Sequence, residues 1–166
     1  MGVRLDSVSI RTELRPGDPG YVIYLHGLLY GREYGFGLKF ETYVAQGVAE
    51  FCENYDPTRD RIWICEYESE IVGSLALMHR GHGAAQLRYF LLRPEFRGMG
   101  LGKRLMYRWM EFAERVGYET AYLLTIDELK AAISLYERHG FVLSGEEHSI
   151  DFGRPLKELR FEKSFS

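Results

Sequence analysis

The spacing of apolar residues changes several times along the chain, and each change predicts the end of one element and the start of another. Residues 8–12 alternate weakly between apolar and polar, which predicts a short first strand before a turn rich in glycine and proline. Residues 21–34 and 40–51 place apolar side chains three or four positions apart, and a glycine-rich break separates the two stretches. We therefore expect one strand followed by two helices, each with an apolar face.

The middle of the chain consists mainly of apolar runs that are typical of strands. We expect three strands here, over residues 61–67, 71–78 and 84–92. The first two form a hairpin around residues 68–70, and Pro94 ends the third. A long helix follows, because an apolar stripe with helical spacing begins near Leu101 and stops at Gly117.

The last third of the chain alternates between strands and one helix. We expect strands over residues 120–125, 141–148 and 156–161. Thr125 and Glu128 have the spacing of a capping box, which predicts the start of a helix that Gly140 ends. The resulting order predicts one mixed α/β sheet flanked by helices, in a single domain over residues 1–166 without a linker or repeat.

Composition excludes several classes of protein. Apolar residues make up 46% of the 166 positions and charged residues 27%, which is ordinary for one globular domain. No apolar stretch is long enough to span a bilayer, and the N-terminus lacks the apolar region of a signal peptide, so we expect a cytoplasmic protein without a membrane partner. Cys52 and Cys65 form no CxxC pair, and we expect both to be reduced.

Charge is distributed unevenly along the chain. The net charge is −3, yet residues 88–108 contain six basic side chains and a single acidic one. Binding of nucleic acid requires an extended positive surface, whereas a short basic segment in an otherwise acidic chain is suited to one phosphorylated small molecule. We therefore expect a small phosphate-bearing ligand and no nucleic-acid partner.

The strand over residues 84–92 and the long helix are joined by a glycine-rich turn, Arg97-Gly98-Met99-Gly100-Leu101-Gly102. Main-chain N–H groups can approach an anion where no side chain intervenes, and the first turn of a helix adds unpaired donors. Two common phosphate-binding motifs do not fit. Lys103 occupies the place of the third glycine in the dinucleotide fingerprint, and a Walker A loop would need glycine at Arg97 and serine or threonine at Arg104.

The remaining pattern, Arg-x-x-Gly-x-Gly after an apolar strand, resembles the acetyl-CoA-binding motif of the GNAT superfamily of N-acetyltransferases. A second segment is similar to the LYexxGF sequence that follows this motif in the superfamily, Leu135-Tyr136-Glu137-Arg138-His139-Gly140-Phe141-Val142. More widely, the chain resembles the acetyltransferase domain fused behind MarR-type helix-turn-helix regulators, although we expect this protein to be without such a DNA-binding domain. The likeness implies a single-domain GNAT fold, with a mixed, mostly antiparallel seven-stranded sheet and four helices, and acetyl-CoA as co-substrate.

The resemblance also implies which residues contact the cofactor. The main chain of Phe90, Leu91 and Leu92 would bond the pantetheine arm where this strand splays from its neighbour. The pyrophosphate would be bound by the turn residues Arg97, Gly98, Met99, Gly100, Leu101, Gly102 and Lys103. Tyr136 would be the catalytic acid, because the tyrosine of the family at this point reaches the cofactor sulfur and eases departure of the thiolate. The alternative for Tyr136 is a packing role.

Two features depart from the family pattern. Leu129 stands where many relatives carry an asparagine that bonds the cofactor, so Thr125 or Asp127 replaces this contact or the contact is missing. Gln86 stands where some relatives carry a glutamate that would act as the general base, on the strand before the turn. An amide cannot accept a proton at neutral pH. The general base therefore stays open at the level of sequence, with deprotonation through water as one route.

Three further residues are expected to contact the acceptor. His26 and Glu33 lie on the first helix, which in the family lines the acceptor pocket. Strand alternation places Arg88 on the face of Gln86 and Phe90, where its guanidinium would offer a fork for a carboxylate of the acceptor. An internal salt bridge of Arg88 is the alternative.

The sequence thus predicts an acetyl-CoA-dependent N-acetyltransferase that acts on the primary amine of a small molecule, such as an amino acid, by direct attack in a ternary complex. A non-catalytic acyl-CoA sensor and an enzyme for protein N-termini or lysines are the alternatives, and a homodimer is left open. No metal is expected, because His79 and His82 flank a hairpin turn and have no evident third ligand.

Overall fold

The computed structural model describes residues 2–165 and contains one mixed sheet of seven strands in the order β1-β2-β3-β4-β5-β7-β6. The strands are β1 Ser9–Arg11, β2 Arg61–Tyr67, β3 Glu70–His79, β4 Ala84–Leu92, β5 Thr120–Ile126, β6 Val142–Ser149 and β7 Leu156–Ser164. The helices are α1 Asp18–Tyr34, α2 Leu38–Glu53, α3 Leu101–Val116 and α4 Lys130–Arg138. All neighbouring strands are antiparallel except β4 and β5, which are parallel.

Each face of the sheet is covered by its own layer of helices. Apolar side chains of α3 and α4 pack on one face in a large core that contains Leu105, Trp109 and Phe141. Apolar side chains of α1 and α2 pack on the other face around Val44 and Phe51. The predicted α/β fold and the predicted order of strands and helices are confirmed. The apolar residues that repeat with the period of a helix or a strand in the sequence form the buried face of that element.

The predicted capping box at Thr125 and Glu128 is wrong. Strand β5 continues to Ile126, because its pairing with β7 extends to the register Ile126↔Glu158. Helix α4 begins only at Lys130, and its N-cap Leu129 makes no side-chain cap hydrogen bond. The Thr125 hydroxyl is buried without a hydrogen-bond partner among residues 2–165. Strand pairing has therefore taken precedence over the local capping motif.

An irregularity in β4 shifts the alternation of its side chains. Tyr89 has a φ of 55°, which is unusual for a residue with a side chain, and the register to β3 shifts between Ser74 and Ala76. The Tyr89 carbonyl accepts a hydrogen bond of 2.6 Å from the Ser74 hydroxyl. Phe90 consequently packs with the core on the α3 side, whereas Arg88 faces α2, so the expectation that these two share a face is wrong.

Strands β4 and β5 separate soon after they begin to pair. Their parallel register covers only the three pairs Ala84↔Thr120, Ala85↔Ala121 and Gln86↔Tyr122. Beyond Gln86, residues 87–92 have no strand partner on that side in the described chain, while β3 continues to pair with β4 up to Leu92. The sheet therefore has a gap in its centre that widens toward the glycine turn.

Candidate active site

The gap between β4 and β5 opens into a cavity of about 800 Å³ that is continuous from the glycine turn to the ends of α1 and α2. Its walls come from α1, α2, β4, the start of α3, β5, α4, β7 and the loop between β6 and β7. A cavity of this size is suited to a small-molecule ligand, and it is here called the central cavity. It has two chemically different ends.

The first end is the glycine turn, which leads directly into α3. Gly98 and Gly100 have φ values of 74° and 91°, a left-handed conformation that glycine adopts without strain. No hydrogen-bond partner within residues 2–165 meets the N–H groups of Leu101, Gly102 and Lys103, and Gly100 offers no side-chain cap. Unpaired N–H groups at the start of a 16-residue helix form an anion site, so the turn fits a pyrophosphate.

The residues of the turn and of the end of β4 differ in whether they line the central cavity. Gly98, Gly100, Gly102 and Lys103 line it, as do Phe90, Leu91 and Leu92 of β4. A side chain at Gly102 would meet Phe90 and Leu135 at 3.4 Å, so the bare glycine keeps the wall of the cavity flat. Met99 and Leu101 pack into the core instead. They can contribute to a ligand only through the main chain.

Arg97 and Glu33 bind each other at the mouth of the central cavity. The Arg97 guanidinium donates to both Glu33 carboxylate oxygens, at 2.5 and 2.9 Å, and its Nε donates to the Leu92 carbonyl at 3.0 Å. The ion pair lowers the pKa of Glu33. The structure therefore joins a residue predicted for the pyrophosphate to one predicted for the acceptor.

Tyr136 lies on α4, in the wall of the central cavity. Its side chain is buried and lines the cavity, with ring centroids 6.1 Å from Phe90 and 6.2 Å from Phe141. Burial raises the pKa of Tyr136, because a phenolate would lose its hydration there. The hydroxyl is therefore protonated at neutral pH, as a proton donor must be.

The structure separates the candidates that were considered for the missing asparagine contact. Leu129 and Thr125 both line the central cavity. Asp127 instead borders a second cavity of about 570 Å³ beside β6 and β7. Buried polar atoms are nearly always hydrogen-bonded in folded proteins, and Thr125 Oγ1 has no partner in the described part of the chain, so a ligand in the cavity could supply this bond.

The second end of the central cavity is walled by aromatic rings. They come from α1, α2 and the β6–β7 loop and comprise Tyr30, Tyr34, Phe36, Phe40, Tyr43 and Phe152. Phe152 anchors the loop, since its ring lies 5.0 Å from Phe40 and 5.4 Å from Tyr43, and its carbonyl accepts a hydrogen bond from Gly37 N–H. We call these six side chains the aromatic wall.

Arg88 is a cation without a carboxylate partner in the described chain. Its guanidinium lies over the rings of Tyr43 and Tyr89, and within residues 2–165 it donates a hydrogen bond only to the Met78 sulfur, at 3.9 Å. Helix α2 carries a glycine here, because a Cβ at Gly47 would lie 2.7 Å from Arg88 Nη2 and 2.5 Å from Tyr89 Oη. An internal salt bridge, the alternative considered for Arg88, is absent within residues 2–165.

His26 and Gln86 lie outside the central cavity. His26 is buried, its Nδ1 donates to the Val22 carbonyl at 2.8 Å, and its ring packs against Tyr30 and Tyr89. Burial lowers the pKa of His26 to about 4, so the ring is neutral at neutral pH. Gln86 is also buried, and its amide oxygen accepts a bond of 2.7 Å from Arg80. The predicted contact of His26 with the acceptor is not supported by this position.

Glu158 is a residue of the cavity that sequence reasoning missed. It lies on β7, lines the central cavity and makes no ion pair with any residue in 2–165. Its position follows from the pairing of β7 with the open end of β5, at the register Ile126↔Glu158. Only the strand register places Glu158 at the cavity, so no local motif could have indicated it.

No group of three or more His, Cys, Asp or Glu side chains in residues 2–165 could hold a metal ion. His79 Nδ1 lies 3.2 Å from the Tyr118 hydroxyl, and His82 forms part of a turn with a φ of 51°. Among the helices of residues 2–165, none is long and apolar enough to cross a membrane.

Comparison with known proteins agrees with this geometry. The model of the acetyltransferase (GNAT) family matches residues 15–141. YjgM of Escherichia coli, an uncharacterized N-acetyltransferase, is 34% identical over 113 residues, which cover 66% of this chain and 68% of that protein. N-acetylaspartate synthetase of Danio rerio is 31% identical over 115 residues, which cover 66% of this chain and 41% of that protein.

A solved structure extends the likeness to nearly the whole fold. The structure of yncA from Salmonella typhimurium with its cofactor acetyl-CoA has a TM-score of 0.72 and 18% sequence identity. The match covers 96% of this chain and 95% of that one. This chain therefore shares its overall fold with a protein that was solved with acetyl-CoA.

Proposed function

The chain belongs to the acetyltransferase (GNAT) family and is an N-acetyltransferase with acetyl-CoA as co-substrate, and we propose that it acetylates the primary amine of a small molecule that carries a carboxylate. One observation carries this proposal. A single cavity joins N–H groups of the glycine turn and the cation of Arg88, which have no partner within residues 2–165, to the buried Tyr136 side chain. Acetyl-CoA supplies an activated thioester carbonyl when bound.

The residues at the cofactor end have the chemistry that this co-substrate requires. The turn from Gly98 to Lys103 would bind the pyrophosphate through main-chain N–H groups, with Lys103 adding a positive charge. Beyond Gln86, the free edge of β4 would bond the amides of the pantetheine arm as an additional strand would. Thr125 would supply the hydrogen bond that the absent asparagine gives in relatives.

Tyr136 would act as the general acid. Its raised pKa keeps the proton on the hydroxyl in the resting protein. The hydroxyl would donate a hydrogen bond to the sulfur as negative charge develops there and would pass on its proton as the C–S bond breaks, because burial disfavours the thiolate as it disfavours the phenolate. The Phe90 and Phe141 rings fix the tyrosine ring in place, so the hydroxyl needs no reorganisation during transfer. A role in packing alone would not require the ring to line the cavity.

The acceptor would reach the thioester from the end that holds Arg88. A guanidinium without an acidic partner, partly removed from water, binds a carboxylate by two parallel hydrogen bonds. The name of one relative, N-acetylaspartate synthetase, supports an amino-acid acceptor as well. A protein N-terminus or lysine is less well suited, since neither presents a carboxylate next to the reacting amine.

A non-catalytic sensor of acyl-CoA is the second function considered for this cavity. It would be in keeping with the likeness to domains fused to MarR-type regulators, which stays a prediction, as does a cytoplasmic location. A sensor needs the cofactor end but gains nothing from a buried proton donor beside the thioester site. The presence of Tyr136 in the cavity therefore favours catalysis.

Release of free thiol from acetyl-CoA tests the proposed function. The protein is mixed with acetyl-CoA and a panel of amines with and without a carboxylate, and the thiol is followed over time. We expect turnover with carboxylate-bearing amines and slower turnover with matched amines that lack the carboxylate. Tight binding of acetyl-CoA without thiol release from any amine would favour the sensor, and preference for peptides would favour a protein acceptor.

A further inference from the structure

Two charged side chains of the central cavity have no partner of opposite charge within residues 2–165 and lie at its acceptor end. They are Arg88 on β4 and Glu158 on β7. The other two acids of the cavity wall are already paired, Glu33 with Arg97 and Glu128 with Arg154. Arg88 and Glu158 also do not pair with each other, so both charges are available to a ligand placed between them.

Strand register places these two charges on the same face of the sheet. Glu158 lies directly opposite Ile126, and directly paired residues present their side chains to the same face. Ile126 is buried in the core that α1 and α2 cover. Arg88 faces that same layer through Tyr43 and Gly47 of α2. Because β4 and β5 have separated at this level, the cation and the carboxylate lie on opposite sides of the gap.

From this arrangement we propose that the acceptor is an α-amino acid with an apolar side chain, bound by Arg88 at its carboxylate and by Glu158 at its amine. The proposal rests on the proposed function and names the substrate class of that site. The aromatic wall would provide the third contact, because its phenylalanine rings form an apolar cluster on the same face of the sheet as both charges. A polyamine or a peptide lysine would leave the Arg88 charge without a partner.

Glu158 also supplies the proton acceptor that the sequence left open. The amino acid enters as an ammonium ion, and Glu158 takes one proton so that the nitrogen lone pair can form the C–N bond to the acetyl carbonyl carbon. The C–S bond breaks, and the sulfur takes the proton of the Tyr136 hydroxyl. The second proton lost by nitrogen restores Tyr136 through water, and Glu158 returns its proton to solvent.

The aromatic wall explains why an apolar side chain is preferred over a polar one. Glu33 and Glu128 of the cavity are held by arginines, and the hydroxyls of the aromatic wall belong to Tyr30, Tyr34 and Tyr43. The remaining rings, Phe36, Phe40 and Phe152, form a cluster that offers no hydrogen-bonding group. A polar side chain placed there would lose its hydration without a replacement partner. Phenylalanine or leucine would instead extend the ring cluster that Phe152 closes from the β6–β7 loop.

Steady-state kinetics with three acceptors tests the proposal. Phenylalanine, 2-phenylethylamine and aspartate are compared at saturating acetyl-CoA with the parent protein. We expect the highest kcat/KM for phenylalanine, with about a tenfold or greater loss for the amine without a carboxylate and for the acidic side chain. Equal rates for phenylalanine and 2-phenylethylamine, or a preference for aspartate, would overturn the assigned substrate class.

Substitution of Glu158 separates the two charged contacts. Glu158→Gln should lower kcat by about a hundredfold or more for phenylalanine and 2-phenylethylamine alike, because the amine is common to both. Affinity for acetyl-CoA should stay within threefold, because Glu158 lies on the face of the sheet that α1 and α2 cover, whereas the glycine turn leads into α3 on the other face. The matched control is Glu147→Gln, which changes the carboxylate opposite Glu158 on β6 that does not line the cavity. We expect nearly unchanged kinetics for this control.

The outcomes distinguish this inference from the proposed function. A parent protein that binds acetyl-CoA but acetylates no amine contradicts the proposed function itself. A parent that acetylates amines while Glu158→Gln retains full kcat contradicts only the role of Glu158. A loss with Glu158→Gln that Glu147→Gln reproduces would mean that general charge, and not the position of Glu158, is responsible.

Discussion

The two ends of the central cavity are built in opposite ways. The cofactor end is a run of consecutive residues, Gly98 to Lys103, whose main chain carries the binding groups. The acceptor end is assembled from side chains of α1, α2, β4, β7 and the β6–β7 loop, which are far apart in sequence. A short segment with its own geometry can be recognised in a sequence, whereas side chains that meet only after folding cannot.

The strongest test of the cofactor end is Gly100→Asp. A carboxylate at the start of α3 would occupy the anion site and reverse its charge, so we expect acetyl-CoA binding to fall by about a thousandfold or more in calorimetric titration. Gly100→Ala is the matched control, since it imposes the same strain at a φ of 91° without the charge. If the aspartate variant bound acetyl-CoA as tightly as the alanine variant, the turn would not be the phosphate site.

Tyr136→Phe tests the point where the two ends meet. Loss of the hydroxyl should lower kcat by roughly ten- to a thousandfold and leave acetyl-CoA affinity nearly unchanged, because the proton is needed only when the thiolate leaves. Tyr118→Phe serves as control, as its hydroxyl bonds the Arg59 carbonyl away from the cavity. Unchanged turnover, measured where chemistry limits the rate, would assign Tyr136 to packing.

Arg88→Ala tests the acceptor end. Removal of a charge-assisted contact should raise the KM of a carboxylate-bearing amine by roughly ten- to a hundredfold, with a smaller effect on the amine that lacks the carboxylate. Arg80→Ala is the control, because Arg80 also lies beside β4 but is paired with Glu50 outside the cavity. An equal penalty for both amines would make Arg88 a structural residue.

The smallest expected effect belongs to Gly47→Ala. A methyl group on α2 at this position must displace the Arg88 guanidinium or the Tyr89 hydroxyl, both less than 3 Å from it. If this displacement weakens binding of the acceptor by about 1 kcal/mol, the KM of the acceptor would rise roughly fivefold. Gly20→Ala in α1, where nothing lies within 4 Å, controls for the change in helix propensity. Should both variants behave alike, the crowding around Arg88 would carry no function.

The order of the helices and strands was predictable because the spacing of apolar residues in the sequence is the spacing of the buried side chains in each helix or strand. The glycine turn was predictable for the same reason, since its neighbours in sequence are its neighbours in space. Two local expectations failed where a long-range contact decided the outcome. Pairing with β7 extended β5 through the capping box at Thr125, and the irregularity at Tyr89 moved Arg88 to the other face from Phe90.

Glu158 shows the limit of sequence reasoning most clearly. In the sequence it is one acid in an alternating strand, with nothing to separate it from Glu162 or Glu147. Its place at the cavity depends on the register between β5 and β7 and on the separation of β5 from β4. Both are properties of three strands together, and neither can be read from one segment.

The separation of β4 from β5 also affects the cohesion of the molecule. Among residues 2–165, three strand-paired positions join the four-stranded part of the sheet to the three-stranded part, so the connection between them is narrow. A ligand that hydrogen-bonds β4 on one side and contacts β5 or α4 on the other would tie the two parts together where the chain does not. The ligand-bound protein would then be more rigid than the free protein. We expect slower amide exchange in residues 87–92 and a higher melting temperature when the ligand is bound.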